Sequence, residues 1–332
     1  MAPLSAPAAE DGLSAVTVLS RRLDVGELLP DEGPLAIAAD IFVPSRVAPS
    51  APVLFCLPGG AMNRAYFDLR GEGHFSFAAD LAARGFIVVT LDHLGVGDSS
   101  RPADGFALTP DVLVEANALA MASLSRDLEH GHITGEPLGP RRSIGVGHSM
   151  GAMLTAMQQA RYGRHAALVL FGFSTRGLTA ALSAEELRFA NDPAGTRANL
   201  IRLARLRGAD PYPQIVRSAQ SKDLFAGETA DRRGVEALQR ARSRLLLTAG
   251  LFSMIPGSCA PECAQVTVPV FLAVGDRDIA GAARQIPADY CASPDITLLV
   301  LPSTGHAHFL FDSRRQLFRR VAHWCEAVLQ ES

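Results

Sequence analysis

The chain has 332 residues, of which 48% are hydrophobic and 20% charged, a balance that excludes disorder over most of its length and supplies a full core. Net charge is −3 with a pI near 6.3, so there is no basic footprint for nucleic acid. The longest uncharged apolar runs, Leu245–Pro256 and Ala166–Phe173, are too short for a membrane span.

The length suits about two domains, or one large α/β domain with an insertion. Met1–Gly12 lacks the positive start and apolar stretch of a signal peptide and reads as a short mobile tail. Val16–Val25 and Leu35–Val43 alternate in polarity around a glycine- and proline-bearing turn, which predicts an antiparallel pair. Val53–Leu57 follows as a buried strand. Phe75–Arg84 reads as a helix closed by Gly85, and Phe86–Leu91 as the next strand. Thr109 and Pro110 make a helix start, and Leu113, Ala116, Ala120, Leu124 and Leu128 share one face of the helix they open. Ser143–Gly147 reads as a strand, Met150–Tyr162 as a helix and Ala167–Phe171 as a strand. The rhythm then breaks, because Thr175–Gln265 is helix-like with arginine-rich polar faces. It resumes with strands Val268–Val274 and Ile296–Leu301. In the closing helix Leu317, Val321, Trp324 and Val328 form an apolar stripe.

This alternation predicts an α/β fold with a mostly parallel sheet covered on both faces. The expected organisation is a tail at 1–12, a core of 13–174 with 266–332, and a helical insertion at 175–265.

Composition narrows the chemistry further. Lys222 is the only lysine, which excludes a Walker phosphate loop and leaves Schiff-base chemistry a single residue in a polar stretch. The cysteines at 56, 259, 263, 291 and 325 form no dense framework and read as reduced thiols of a cytoplasmic protein. Cys259 and Cys263 alone are weak for zinc, as are His130 with His132 and His306 with His308, which lack further ligands nearby.

The sharpest signal is Gly147-His148-Ser149-Met150-Gly151, placed between a strand and a helix. That is the context G-x-S-x-G requires: small flanking residues permit a strained turn that lifts the serine hydroxyl above the sheet edge. The helix N-terminus there also favours developing negative charge. A glycine-rich turn with an incidental serine is the bland alternative, and the agreement of motif and context weighs against it. Gly145 and Gly147 also look like the start of a dinucleotide fingerprint, but Met150 stands where its third glycine belongs. A serine needs a base, and the base needs an orienting carboxylate, in the chain order Ser…Asp…His. Gly275-Asp276-Arg277-Asp278 and Gly305-His306-Ala307-His308 each follow a predicted strand at its carboxyl end, where parallel sheets place their sites. One oxyanion donor is expected from the amide of Met150, after the serine, and another from the loop after Val53–Leu57.

With these motifs the sequence resembles the α/β-hydrolase fold superfamily, of the serine esterase and lipase type with a helical cap, over about residues 13–332. Leu57-Pro58-Gly59-Gly60 stands where the family usually has His-Gly, and Asp92-His93-Leu94-Gly95-Val96-Gly97-Asp98-Ser99 resembles its D-x-x-G-x-G-x-S turn. The resemblance implies an eight-stranded, mostly parallel sheet with an inserted cap. It also implies a catalytic triad of Ser149, Asp278 (over Asp276) and His306 (over His308). The oxyanion hole it implies is formed by Met150 and Gly60, with Ala61 in reserve. Asp92 and Asp98 would stabilise their turn, and Asn63, Arg64 and Tyr66 would face substrate or simply pack. No cofactor or metal is implied.

The expected partner is a small to medium, uncharged, hydrophobic ester, and a homodimer is compatible with the chain. The apolar residues Leu246, Leu247, Leu251, Phe252, Met254 and Ile255 are candidates for a lid's inner face or for packing the cap onto the core. The same triad also serves lactones, thioesters, carbon–carbon bond hydrolysis and acyl transfer, and some members of the fold act as low-turnover receptors.

Overall fold

The computed structural model describes residues 14–48, 51–71, 73–215 and 225–330. The predicted tail at 1–12 and Lys222 lie outside the described residues. Eight strands form one sheet: β1 (Val16–Gly26), β2 (Leu35–Pro44), β3 (Val53–Leu57), β4 (Ile87–Leu91), β5 (Ser143–His148), β6 (Ala167–Phe171), β7 (Val270–Gly275) and β8 (Ile296–Leu301). Their order is β1-β2-β4-β3-β5-β6-β7-β8. The β1–β2 and β2–β4 pairs are antiparallel and the others parallel.

The central strands β3 to β6 are buried along almost their whole length, which is why they read as apolar runs without alternation. Their residues still alternate between two cores. Val53, Phe55 and Leu57 pack into one with helices α2 (Pro110–Glu129) and α3 (Met150–Tyr162). Leu54 and Cys56 pack into the other, with α1 (Phe77–Ala83) and the C-terminal helix Arg314–Gln330. Local chemistry sets the ends. Thr109 caps α2 by accepting from Val112 N–H, and α3 stops at Gly163 in the left-handed conformation. β7 begins at Val270, later than the sequence pattern suggests, because Pro269 has no N–H to donate to the ladder.

Between β6 and β7 the described residues form helices α4 (Ala184–Leu187), α5 (Pro193–Arg207), α6 (Arg232–Ala241), α7 (Leu247–Met254) and α8 (Ala260–Ala264). The helix Arg314–Gln330 is α9. The predicted stripe of α9 lands inward at Leu317, Val321 and Val328, while Trp324 is half-buried with its ring 5.5 Å from that of Phe271. No described helix is long and apolar enough to cross a membrane.

Candidate functional site

Every piece of the site stands at the carboxyl end of a strand. Ser149 follows β5 directly and holds φ 55°, ψ −123°, a conformation that costs a non-glycine residue about 1–3 kcal/mol and persists only where its surroundings enforce it. The flanking glycines are sterically required. A Cβ on Gly147 would lie 2.4 Å from Ala152 Cα, and one on Gly151 would lie 2.1 Å from the Leu57 carbonyl oxygen. The elbow is thus wedged between the start of α3 and the loop after β3. Ser149 N–H donates to Phe171 O at 2.8 Å, tying it to the end of β6.

The loops after β7 and β8 bring the sequence's candidate acid and base together. His306 Nδ1 and Asp278 Oδ1 are 2.7 Å apart, and both side chains are buried. Asp278 Oδ1 also accepts from Ala280 N–H at 2.9 Å. His306 lines a cavity of about 40 Å³ together with Ser149, Met150, Phe173, Leu178 and Ile279. Burial opposes ionisation of Asp278, but the two imidazoles bonded to it outweigh that and hold its carboxyl well below the usual carboxylate range.

Asp276, the alternative acid, is exposed and serves its own loop. It accepts from Ser303 N–H at 2.8 Å and Thr304 N–H at 3.0 Å, pinning the β8 loop to the β7 loop. His308, the alternative base, does not line the cavity. It is fully buried, and its Nε2 bonds Asp278 Oδ2 at 2.6 Å. His148 lies behind His306, with Nε2 2.9 Å from the His306 carbonyl. Burial, reinforced by the neighbouring imidazoles, pushes its pKa well below the usual histidine value, so the ring is neutral and Nε2 donates.

The amides of Met150 and Gly60 have no hydrogen-bond partner among the described residues. The two residues are neighbours, since a Cβ added to Gly60 would lie 3.9 Å from the Met150 sulfur. The loop carrying Gly60 is braced at two points by the turn after β4. His93 Nε2 bonds the Pro58 carbonyl at 3.0 Å, while its Nδ1 faces the Asn117 side-chain nitrogen at 3.2 Å. Nδ1 therefore accepts and Nε2 carries the hydrogen, a neutral state that burial favours by lowering the pKa of His93. At the second point Asp92 accepts Arg64 N–H at 2.7 Å and pairs with the Arg64 guanidinium, which also reaches Asp40 and Asp98 at 2.8 Å.

Asp92 is the buried acceptor of its turn, as its acceptance of Asp98 N–H at 2.9 Å illustrates, whereas the Asp98 side chain is exposed. None of the three residues weighed as substrate contacts lines the cavity. Asn63 caps a short 3₁₀ turn, Arg64 is held by carboxylates, and buried Tyr66 stacks on His148 with centroids 4.4 Å apart.

For the apolar run of the helical segment the structure favours packing over a lid's inner face, the two alternatives the sequence left open. Leu246, Leu247, Leu251, Phe252 and Ile255 are buried in the main core, where α7 packs on α3 and α5, and they do not line the cavity. The run is apolar because it is covered on its core side. Among its described residues, Gly177, Leu178 and Ser253 contribute to the cavity wall. Several of its arginines are held in ion pairs: Arg188 and Arg202 with Glu185 at 3.3 and 3.1 Å, Arg207 with Glu186, and Arg197 with Glu262.

Two contributors escaped the sequence reading. Gly172, at φ +59°, passes so close to the pair that an added Cβ would lie 3.0 Å from Asp278 Oδ2 and 3.1 Å from His306 Nδ1. A glycine just past β6 was its only signal. The bond from His308 to Asp278 was the other; its signal was the spacing of two from His306. Cys56, Cys259, Cys263 and Cys325 are buried free thiols, and Cys291 is exposed. Among the described residues no group of three or more His, Cys, Asp or Glu is arranged to hold a metal.

An eight-stranded sheet in this order, with a serine on the β5 elbow and a carboxylate–imidazole pair from the last two strand loops, defines an α/β-hydrolase architecture. A family model described as the alpha/beta hydrolase family matches residues 53–321, and the chain belongs to that family. Comparison with curated protein sequences finds no match. Among solved structures the chain is similar to a proline iminopeptidase of Mycobacterium smegmatis, with 19% identity, TM-score 0.59, and coverage of 94% of this chain and 99% of that one. It is also similar to a thermophilic esterase of Thermogutta terrifontis, with 18% identity, TM-score 0.59, and coverage of 93% and 99%. A third is the peroxisomal alpha-beta-hydrolase of Saccharomyces cerevisiae, with 14% identity, TM-score 0.61, and coverage of 97% and 91%. At these identities the likeness is one of fold.

Proposed function

We propose that the protein is a serine hydrolase of small, uncharged carboxylic esters. The observation that carries this reading is that Ser149, held in a strained elbow, shares one cavity with His306, whose Nδ1 is bonded to buried Asp278. In the proposed mechanism His306 Nε2 takes the Ser149 proton as Oγ attacks the ester carbonyl. Asp278 fixes the ring so that Nε2 faces the serine, and it stabilises the imidazolium that forms. The amides of Met150 and Gly60 donate to the oxyanion, whose charge develops at the N-terminus of α3. The tetrahedral intermediate collapses, the alcohol leaves with the proton from His306, and water then releases the acid by the same steps.

The cavity supports the substrate class. Phe173, Leu178 and Ile279 give its walls apolar surface, and its two other serines are engaged elsewhere, Ser174 donating to Ala280 O at 2.8 Å and Ser253 to Gly250 O at 2.7 Å. Among the described residues that line it there is no lysine or arginine to pair an anionic acyl group, and burying an unpaired charge is costly. The segment 175–265 acts as the cap in this reading, closing the acyl side through Leu178.

The test is turnover of p-nitrophenyl acetate with phosphonate labelling. Ser149→Ala is expected to lower kcat by on the order of 10⁴–10⁶ with the fold intact and to abolish labelling. Retention of more than a tenth of the activity would sink the serine mechanism.

A further inference from the structure

The Asp278 carboxylate is shared between two imidazoles. Oδ1 bonds His306 Nδ1 at 2.7 Å, and Oδ2 bonds His308 Nε2 at 2.6 Å. The loop is folded for this: His308 N–H donates to the His306 carbonyl at 3.1 Å, a tight turn that aims two rings spaced by one residue at the same carboxylate. His308 is fully buried, and its Nδ1 has no partner among the described residues. Its ring lies against the ring of Phe171, 6.2 Å away and edge-on, and does not reach the cavity that holds Ser149. Outright structural use of this site would be better served by an apolar residue, because a buried ring nitrogen without a partner carries a desolvation cost.

We propose that His308 is a positioning residue that acts on the reaction through Asp278. Its Nε2–H fixes the rotation of the carboxylate, so that Oδ1 stays on His306 Nδ1. By taking a share of the carboxylate's charge it also weakens the pull of Asp278 on a protonated His306, which keeps His306 available as a base at lower pH. Among the described residues the ionisable groups facing this pair are Tyr66 from the segment after β3, His148 at the end of β5, and Asp278 and His306 themselves. Tyr66 and His148 are both driven to their neutral forms by burial, so neither supplies a competing charge.

The proposal rests on the serine hydrolase reading, and phosphonate labelling of the unmodified chain separates the two: no labelling refutes that reading and this proposal with it. With labelling established, His308→Leu removes the donor while keeping an apolar volume. It is expected to lower kcat by about tenfold to a hundredfold with KM within a factor of two. The acidic limb of the kcat/KM profile is expected to move to higher pH by about 0.5 or more, because His306 now faces an unshared carboxylate. His308→Gln, whose amide nitrogen can donate to Oδ2, is expected to recover most of kcat and to return the limb toward its original position. A fall in kcat with the limb unmoved, or glutamine no better than leucine, overturns the proposal. Should His308→Leu fail to fold, ¹⁵N-histidine spectra of the unmodified chain decide it. Nε2 of His308 is expected to be protonated, with its proton shifted downfield together with that on His306 Nδ1. An unprotonated Nε2 overturns it.

Discussion

Gly172 and Gly163 share φ +59° but not their surroundings, and the pair isolates what the site demands of its backbone. An alanine at either position pays for the left-handed conformation, about 1–2 kcal/mol. At Gly163 nothing lies within 4 Å of the added Cβ, so that cost is the whole effect. At Gly172 the methyl would sit 3.0 Å from Asp278 Oδ2 and 3.1 Å from His306 Nδ1 and Cε1. Comfortable contact for carbon is roughly 3.5–4.0 Å, so Asp278 and His306 must retreat by several tenths of an ångström. They are held by bonds of 2.6 and 2.7 Å, and any retreat stretches one of these or turns the ring away from Ser149. Misplacement on this scale costs about tenfold to a hundredfold in kcat, or about 1.4–2.7 kcal/mol in the barrier. Thermal unfolding of Gly163→Ala and Gly172→Ala, with p-nitrophenyl acetate kinetics on each, checks the reasoning. Gly172→Ala is expected to lose at least as much stability as Gly163→Ala, and only Gly172→Ala to lose kcat. Equal kcat in the two would refute the claim that Gly172 is there to admit the carboxylate–imidazole pair.

Asp278→Asn is expected to lower kcat by on the order of 10⁴, because an amide no longer holds the His306 tautomer. Asp276→Asn is expected to leave kcat within severalfold and to cost about 1–2 kcal/mol of stability through its two weakened N–H contacts; steady-state kinetics with denaturant unfolding separate the two, and a reversed pattern would show the wrong aspartate was chosen. Acid stability carries a further signature. Burial lowers His165 from its usual value to about 4, so between pH 6.5 and 4 the unfolded chain binds a proton that the folded chain does not. The contribution of His165 is therefore present above pH 6.5 and lost as pH falls toward 4, by roughly 3 kcal/mol. His165→Gln is expected to flatten the stability profile over that window in urea titrations at graded pH, and an unchanged slope would contradict a neutral His165.

What the sequence carried and what it withheld follow the range of the interactions. The elbow was legible because its constraint is local: Gly147, Ser149 and Gly151 crowd each other and the strand beside them, so the spacing alone encodes the turn. The central strands were legible because two-sided burial writes itself as an apolar run; several ends shift by one residue, and Pro269 displaces the start of β7 by two. The α7 residues were ambiguous for the opposite reason. An apolar face says that something covers it, and only tertiary packing decides between α3 and a substrate cavity.

The same limit governs the carboxylate–imidazole pair. His306 and Asp278 stand 28 positions apart, and His148 supports the His306 carbonyl from 158 positions away. Their placement depends on how loops from three strands converge, which no spacing rule encodes. Conversely, the substitution of Pro58 for the expected histidine reads in sequence as a departure, yet the loop it belongs to is braced. His93 from the turn after β4 donates to the Pro58 carbonyl, and Arg64 ties the following turn to Asp92. A carbonyl can accept that bond whatever side chain its residue bears, so the bracing survives the change. The residue that must be retained there is the donor, His93, and not the acceptor's side chain.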